Sequence, residues 1–186
     1  MSHESASFST HPGTQAMIAA LQSPGPRPEL AEHLQLFGQF VGSWDLDRTS
    51  YAPDGRTATV PGEWHFGWVL DGRAVQDVWI CPPRGLRDEP IIPPGEWGSV
   101  IRFYDARIDA WRATWAGPAS GAMYSFIASQ EGDEIVLRGH DEDGNPMRWI
   151  FSDISADAFR WRSEVSADGG ATWRRTIEMR VRRRFA

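Results

Sequence analysis

The sequence predicts an all-β fold, an antiparallel up-and-down β-barrel of about ten strands with a short N-terminal helix at its closed end. From Phe40 onward, apolar residues recur at every second position, which is the period of a β-strand. Turn-forming pairs such as Asp71-Gly72 and Asp143-Gly144 separate these segments at hairpin spacing. No segment of crossover-helix length lies between two of them, which excludes a parallel α/β sheet.

The chain before the first strand divides into an arm and a helix. Residues 1–27 are rich in Ser, His, Pro and Gly and are expected to form a poorly ordered arm, which leaves residues 28–186 as the barrel domain. Pro28 is suited to the first position of a helix that ends near Gly38. The apolar residues of this helix recur at helical spacing, at Leu30, Leu34 and Phe37.

The alternating pattern then defines the strands. They are predicted at residues 40–51, 60–70, 73–81, 97–105, 110–117, 122–130, 133–139, 146–154, 158–166 and 172–184. An open sheet of this many strands would expose two edges, and closure into a barrel removes them. A sandwich of two sheets is the competing architecture. A barrel of eight to ten strands is filled by side chains or holds one small ligand.

One predicted connection differs from the others in length and composition. Residues 82–96 contain five prolines and no strand pattern. Loops of this length are uncommon unless they act as lids or binding loops. A surface excursion or a contact between subunits is an equally good interpretation.

Composition excludes several classes of partner. The formal charge of −6 and the scattered acidic residues exclude nucleic acid, which requires a clustered basic surface. No stretch approaches the roughly 20 apolar residues of a membrane helix, and no signal peptide is recognisable, so a soluble, cytoplasmic protein without a membrane partner is expected. Cys81 is the only cysteine, which excludes an intrachain disulfide. The five histidines show no metal-ligand spacing, so neither a metal nor a cofactor is expected.

Ten tryptophans are the most conspicuous feature of the composition. Each lies in a predicted strand or at its start, and in several strands aromatic residues share one face, as in Trp64, Phe66 and Trp68. Such a lining is compatible with a packed aromatic core, in which each indole N–H needs a partner. It is also compatible with an apolar cavity for a small molecule. Both interpretations remain open from sequence alone.

The start of the first strand carries a family resemblance. Phe40-Val41-Gly42-Ser43-Trp44, after a short helix, resembles the Gly-x-Trp signature of lipocalins and other calycins. In that group the Trp closes one end of the barrel and packs under an Arg of the last strand. The end of this chain offers four candidates, Arg180, Arg182, Arg183 and Arg184. A guanidinium over an indole is a favourable contact. The resemblance covers residues 29–184 and implies a lipocalin-like barrel.

Within this group the chain is most similar to uncharacterised bacterial lipocalin-like proteins. The similarity is carried by residues 62–79 and by the hairpin from Phe159 to Trp173. It implies a fold and no activity. The haem-binding nitrobindins are a poorer match, because Asp45-Leu46 follows Trp44 where their signature continues to a glycine. Haem is therefore not expected.

Two further motifs predict turns. Residues 166–173 match the Asp-box pattern S-x-D-x-G-x-T-W, whose Asp and Ser side chains bond turn amides. A single copy predicts a structural hairpin. Residues 140–146 superficially suggest a calcium loop. Counted from Asp141, however, the sixth position is Pro146 and the twelfth is Ser152, where an EF-hand loop requires Gly and Glu.

The favoured function is binding of a small apolar or aromatic molecule in the barrel lumen. Asp77 or Arg102 would orient the ligand, and the loop at 82–96 would cover the mouth. Six tryptophans are expected to line the site: Trp64, Trp68, Trp79, Trp115, Trp149 and Trp161.

Two alternatives remain open. One is a cofactor-free cyclase, isomerase or hydratase that uses a buried Asp77, Glu178 or His65 as acid or base. Polar residues of opposite sign on inward faces would be forced to pair or to shift their pKa values. The other is a non-catalytic interaction domain with a filled interior that presents the Pro-rich loop. The sequence does not identify the ligand or the oligomeric state, and a homodimer is one option.

Overall fold

The computed structural model describes residues 11–86 and 95–185. Its ten antiparallel strands form one closed barrel, in which each strand pairs with the next and the last pairs with the first. The predicted fold class is confirmed, and the two-sheet sandwich is excluded. The strands are β1 Gly42–Tyr51, β2 Thr57–Val69, β3 Ala74–Cys81, β4 Glu96–Asp105, β5 Ala110–Gly117, β6 Ala122–Glu131, β7 Glu134–His140, β8 Pro146–Ser152, β9 Ala158–Val165 and β10 Arg174–Arg183.

Two helices precede the barrel, α1 (Pro12–Leu21) and α2 (Ala31–Gly38). A single 3-10 turn, Pro28–Leu30, leads into α2 where the sequence places proline at a helix start. The apolar face of α2 is buried at the end of the barrel where β1 begins, and both Leu34 and Phe37 are completely inaccessible there. This end is therefore the closed one.

The segment expected to be an arm contains α1 and contacts the barrel through backbone hydrogen bonds. The carbonyl of Leu21 accepts from the Leu70 N–H, and the Ser23 N–H donates to Trp68. No residue of α1 is buried. Residues 1–10 lie outside the described part of the chain. The degree of order of the arm and the domain boundary at residue 28 stay predictions.

An aromatic layer fills the closed half of the barrel. Trp44 is fully buried in it, as the Gly-x-Trp resemblance implies, and its ring packs edge-on against Phe159 at 4.9 Å. Phe40 contacts Phe66, Phe151 and Phe159 at ring-centroid distances of 5.7, 5.0 and 4.8 Å. Burial of this much aromatic surface is the main stabilising contribution at this end.

The Asp-box residues form the hairpin between β9 and β10. Ser166 Oγ donates to Asp168 Oδ1 over 2.7 Å, and Asp168 accepts from the Thr172 N–H over 2.8 Å. Gly169 and Gly170 have φ values of 72° and 100°, which glycine adopts without strain. The motif therefore serves the turn, as predicted.

Within residues 11–86 and 95–185, no helix combines the length and the apolar character needed to cross a membrane.

Candidate functional site

A cavity of 610 Å³ occupies the half of the barrel opposite α2. Its rim consists of residues at or beside the strand ends of that half, including Gly95, Glu96, Ser120 and Asp141. The size lies in the range typical of sites for small molecules. The cavity is thus a pocket with one floor, formed by the aromatic layer, and one mouth.

Five tryptophans form the walls of the cavity: Trp64, Trp79, Trp115, Trp149 and Trp161. They contact one another as a continuous series of rings, with centroid distances of 5.5 Å from Trp79 to Trp115 and 5.9 Å from Trp115 to Trp149. The series continues to Trp161 at 5.2 Å and to Trp64 at 6.3 Å. Each of the five is no more than 9% exposed.

The inward direction of these rings follows from the pleat, because alternate residues of a strand face the same side. Trp64 and Trp79 are directly opposite each other on β2 and β3. Gly98 on β4 leaves room for a neighbouring ring, since a Cβ atom at this position would overlap the Trp115 side chain. The sequence therefore positions the cavity wall through alternation and through one missing side chain.

Several hydrogen-bond donors in the cavity wall are buried without an acceptor among the described residues. They are the indole N–H groups of Trp64, Trp79 and Trp161 and the Nε of Arg48. Buried polar groups in folded proteins almost always have a partner. The wall is thus mostly apolar, and four of its donor groups lack an acceptor among the described residues.

Arg48 is the one cation in this wall among the residues that the structure describes. Its guanidinium carbon lies 5.7 Å from the centroid of the Trp79 ring. Burial lowers the pKa of the guanidinium, and the negative charge of Glu96 opposes this shift. An arginine nevertheless remains protonated in proteins.

The rim is acidic. Glu96 accepts hydrogen bonds from Ser120 Oγ over 2.6 Å and from the Trp97 N–H over 3.0 Å. Asp141 accepts from the backbone N–H of Asn145 over 2.8 Å, and these bonds lower its pKa against the opposing effect of burial. Glu142 is also at the rim. Glu96 and Asp141 stabilise the turns that surround the mouth.

Three residues expected to bind the ligand lie outside the cavity lining. The Trp68 ring packs against the backbone of α2, where a Cβ atom at Gly38 would overlap it, so this tryptophan belongs to the closed end. Asp77 and Arg102 point inward but form a completely buried ion pair with an NH1–Oδ2 distance of 2.5 Å.

The aromatic floor separates this ion pair from the cavity. The Arg102 guanidinium carbon lies 5.1 Å from the Phe37 ring centroid, among the side chains of the closed end. The expectation that buried polar residues of opposite sign pair is correct for these two. They lie outside the lining of this cavity, deeper along the barrel axis, and their expected contact with a ligand stays a prediction.

The other acid–base candidates are on the outer wall. Glu178 accepts from Tyr51 Oη over 2.9 Å and from Arg175 over 2.8 Å, and these interactions lower its pKa although burial opposes the shift. His65 lies between Ser43 Oγ at 2.9 Å and Glu63 at 3.1 Å. Neither residue belongs to the cavity lining.

A row of polar groups, Ser43, His65 and Glu63, thus follows the outside of β1 and β2. Glu63 is the most constrained member, because Arg84 donates to it from its backbone N–H and from Nε, over 2.9 and 2.8 Å. These hydrogen bonds lower its pKa to about 2. The row therefore acts as an anchor for the chain after β3.

Arg48 is the charged residue of the cavity wall that was not predicted from the sequence. The signal was present, since Arg48 falls two positions after Leu46 and four after Trp44, on the inward face of β1. The second end of the Pro-rich segment, Gly95 and Glu96, is at the mouth, and its first end, residues 82–86, is outside the cavity lining. Residues 87–94 lie outside the described residues.

In the described ranges, no cluster of three or more His, Cys, Asp or Glu side chains is arranged to hold a metal ion.

Comparisons with known proteins identify the fold. No family model matches the chain, and no curated protein matches it. An S-type phycobiliprotein lyase, CPES from Guillardia theta, has a similar structure with a TM-score of 0.57 at 14% identity, covering 87% of this chain and 99% of that one. Rv2717c from M. tuberculosis is similar with a TM-score of 0.57 at 16% identity, covering 86% and 99%. At these identities the likeness extends to the fold, which is the lipocalin-like barrel.

Proposed function

We propose that this protein binds one small apolar or aromatic molecule in the tryptophan-walled cavity. The observation that carries the proposal is the 610 Å³ cavity with five mutually contacting indoles in its wall. A barrel whose side chains served only as a core would close this space, because interiors are packed to crystal-like density. Flat apolar ligands bury their surface well between such rings.

The structural similarity to a phycobiliprotein lyase supports a function in which a barrel of this shape binds another molecule. It is a similarity of fold, so the ligand of this chain has to be argued from its own cavity. From the resemblance carried by residues 62–79 and 159–173, we also propose that this chain is a bacterial, cytoplasmic member of the lipocalin-like group. Residues 28–186 would form its domain.

Binding is favoured over the two alternatives by the position of the polar groups. Asp77 already forms an ion pair with Arg102, and Glu178 and His65 face away from the cavity. A cofactor-free reaction in this cavity would therefore lack its expected acid or base. A purely structural interaction domain would not need an open cavity.

The proposal is tested by native mass spectrometry of freshly purified protein, followed by tryptophan-fluorescence titration with a panel of apolar and aromatic compounds. We expect a co-purified mass or saturable quenching, and weaker quenching in Trp149→Ala, which removes a ring at the centre of the wall. The matched control is Trp97→Ala, which removes an indole 39% exposed and outside the cavity lining. Quenching by no compound in the panel, together with a bare mass, would contradict the proposal.

A further inference from the structure

The cavity wall contains four donor groups that are buried and have no acceptor among the described residues. The Nε of Arg48 and the indole N–H of Trp79 are both buried and unpaired there, and the two side chains are neighbours. A buried donor without an acceptor is destabilising. These two atoms expose almost no surface, so a ligand in the cavity would reach Arg48 through its terminal guanidinium nitrogens, which are not among the buried unpaired atoms.

The surroundings of Arg48 make it an unusual arginine. Its direct neighbours across the sheet are Val60 on β2 and Met179 on β10, which are 6% and 1% exposed. Among the described residues Arg48 has no salt bridge, whereas the deeper Arg102 has its own carboxylate in Asp77. The barrel thus pairs the fully buried Arg102 internally, whereas the half-buried Arg48 lines the cavity.

None of the nearby acids forms a salt bridge with Arg48 among the described residues. Glu96 and Asp141 are held at the rim by Ser120 and Asn145. Glu142, the third acid of the lining, makes no ion pair with Arg48 either. Because the rim is negative and the deeper wall carries the cation, a molecule with one buried anionic group is favoured over one with several.

We infer that the ligand carries a single oxyanion, of the carboxylate class, that accepts hydrogen bonds from the Arg48 guanidinium while its apolar or aromatic body lies between the indoles. This inference rests on the proposed function and specifies its ligand. Arginine suits the role because its planar fork matches the oxygens of a carboxylate.

Two fluorescent probes with the same aromatic body test the inference, anilinonaphthalene sulfonate and its uncharged parent phenylnaphthylamine. We expect the wild-type protein to bind the sulfonate about tenfold more tightly than the parent, since hydrogen bonds to charged groups contribute at least this much. Binding is followed by quenching of tryptophan emission and by the emission of the probe.

Substitution of the arginine separates charge from cavity shape. We expect Arg48→Met to weaken sulfonate binding about tenfold and to change binding of the neutral probe less than about twofold. Arg48→Lys retains the charge without the planar fork, and we expect its affinity for the sulfonate to lie between those of the wild type and Arg48→Met. The control is Arg180→Met on β10, which is exposed and outside the lining, and which leaves both affinities unchanged. The melting temperature of unliganded Arg48→Met serves as the check on folding, and we expect it to equal or exceed that of the wild type.

The outcomes distinguish the inference from the function on which it rests. If the wild type binds both probes equally, or if Arg48→Met weakens binding of both probes alike, the inference of an oxyanion is wrong and the proposed apolar site is retained. If neither probe binds and the compound panel also fails, the binding function is wrong and the inference falls with it. A loss of melting temperature in Arg48→Met would instead assign the arginine a structural role.

Discussion

The guanidinium carbon of Arg183 lies 4.0 Å from the centre of the Trp44 ring. This arginine also donates to the carbonyls of Gln39 and Val41, at 3.0 Å each, and to Ala156 at 2.6 Å. The indole Nε1 of Trp44 donates to the Phe40 carbonyl over 2.7 Å. The stacked pair and these hydrogen bonds together hold the end of β10 against the segment between α2 and β1.

Loss of this arginine should destabilise the closed end. We expect Arg183→Met to lower the free energy of unfolding by about 2–4 kcal/mol, since it removes a cation–π contact and leaves carbonyls without donors. Arg183→Lys should recover little, because an ammonium cannot reproduce the planar fork. Urea denaturation measures both, with Arg182→Met as control, an exposed neighbour whose ion pair with Asp47 spans 3.5 Å. An equal effect of the two methionine variants would contradict this role.

The sequence predicted this pairing only in part. The Gly-x-Trp resemblance identified Trp44 and a group of four arginines, but the choice of Arg183 depends on strand register, which places it directly opposite Trp44. Register results from long-range pairing of β1 with β10, and local sequence does not encode it. Strand positions were predicted within about three residues because turn residues mark hairpins locally.

The candidate site was predicted to a lesser extent. Alternation correctly put Trp64 and Trp68 on one face, yet only Trp64 reaches the cavity, because Trp68 lies nearer the closed end against Gly38. Arg102 and Arg48 both point inward, but Arg102 pairs with Asp77 whereas Arg48 lines the cavity. This difference depends on the depth of each residue along the barrel axis. Depth follows from strand tilt and register together, which a one-dimensional pattern does not contain.

The buried pair formed by Asp77 and Arg102 should show strong coupling. Removing either charge alone, by Asp77→Asn or Arg102→Met, leaves an uncompensated charge and should cost about 3–5 kcal/mol of unfolding free energy. The double variant should be less destabilised than the sum of the two, since it buries no unpaired charge. A double-mutant cycle by chemical denaturation measures the coupling, and additive effects would show that the ion pair contributes little.

The close approach of Gly98 to Trp115 gives a prediction about the cavity wall. We expect Gly98→Ala to lower the free energy of unfolding by about 1–3 kcal/mol and to shift tryptophan emission, because the added methyl group forces the Trp115 ring to move. Gly67→Ala is the matched control, since a Cβ atom at Gly67 meets nothing within 4 Å. Its stability should change little or rise slightly. Equal stability of the two variants would contradict the close approach.

The carboxylate of Glu63 should make folding dependent on pH in the acid range. Arg84 hydrogen bonds lower the pKa of Glu63 from 4.5 to about 2, and its side chain is only 4% exposed. Because the folded pKa lies below the unfolded one, the stabilisation is complete above about pH 4.5 and is lost as the pH falls toward 2. A shift of this size corresponds to about 3 kcal/mol.

The variant Glu63→Gln isolates this contribution from those of the other acids. We expect its deficit in unfolding free energy to be about 3 kcal/mol at neutral pH and to shrink steadily below about pH 4.5, since protonation gives the wild type a neutral side chain as well. Glu32→Gln, at an exposed position without an ion pair among the described residues, should follow the wild-type curve throughout. A Glu63→Gln deficit that stayed constant from pH 7 to pH 2 would mean that the side chain stabilises the outer wall by packing, and that the Arg84 contact contributes no charge-dependent stability.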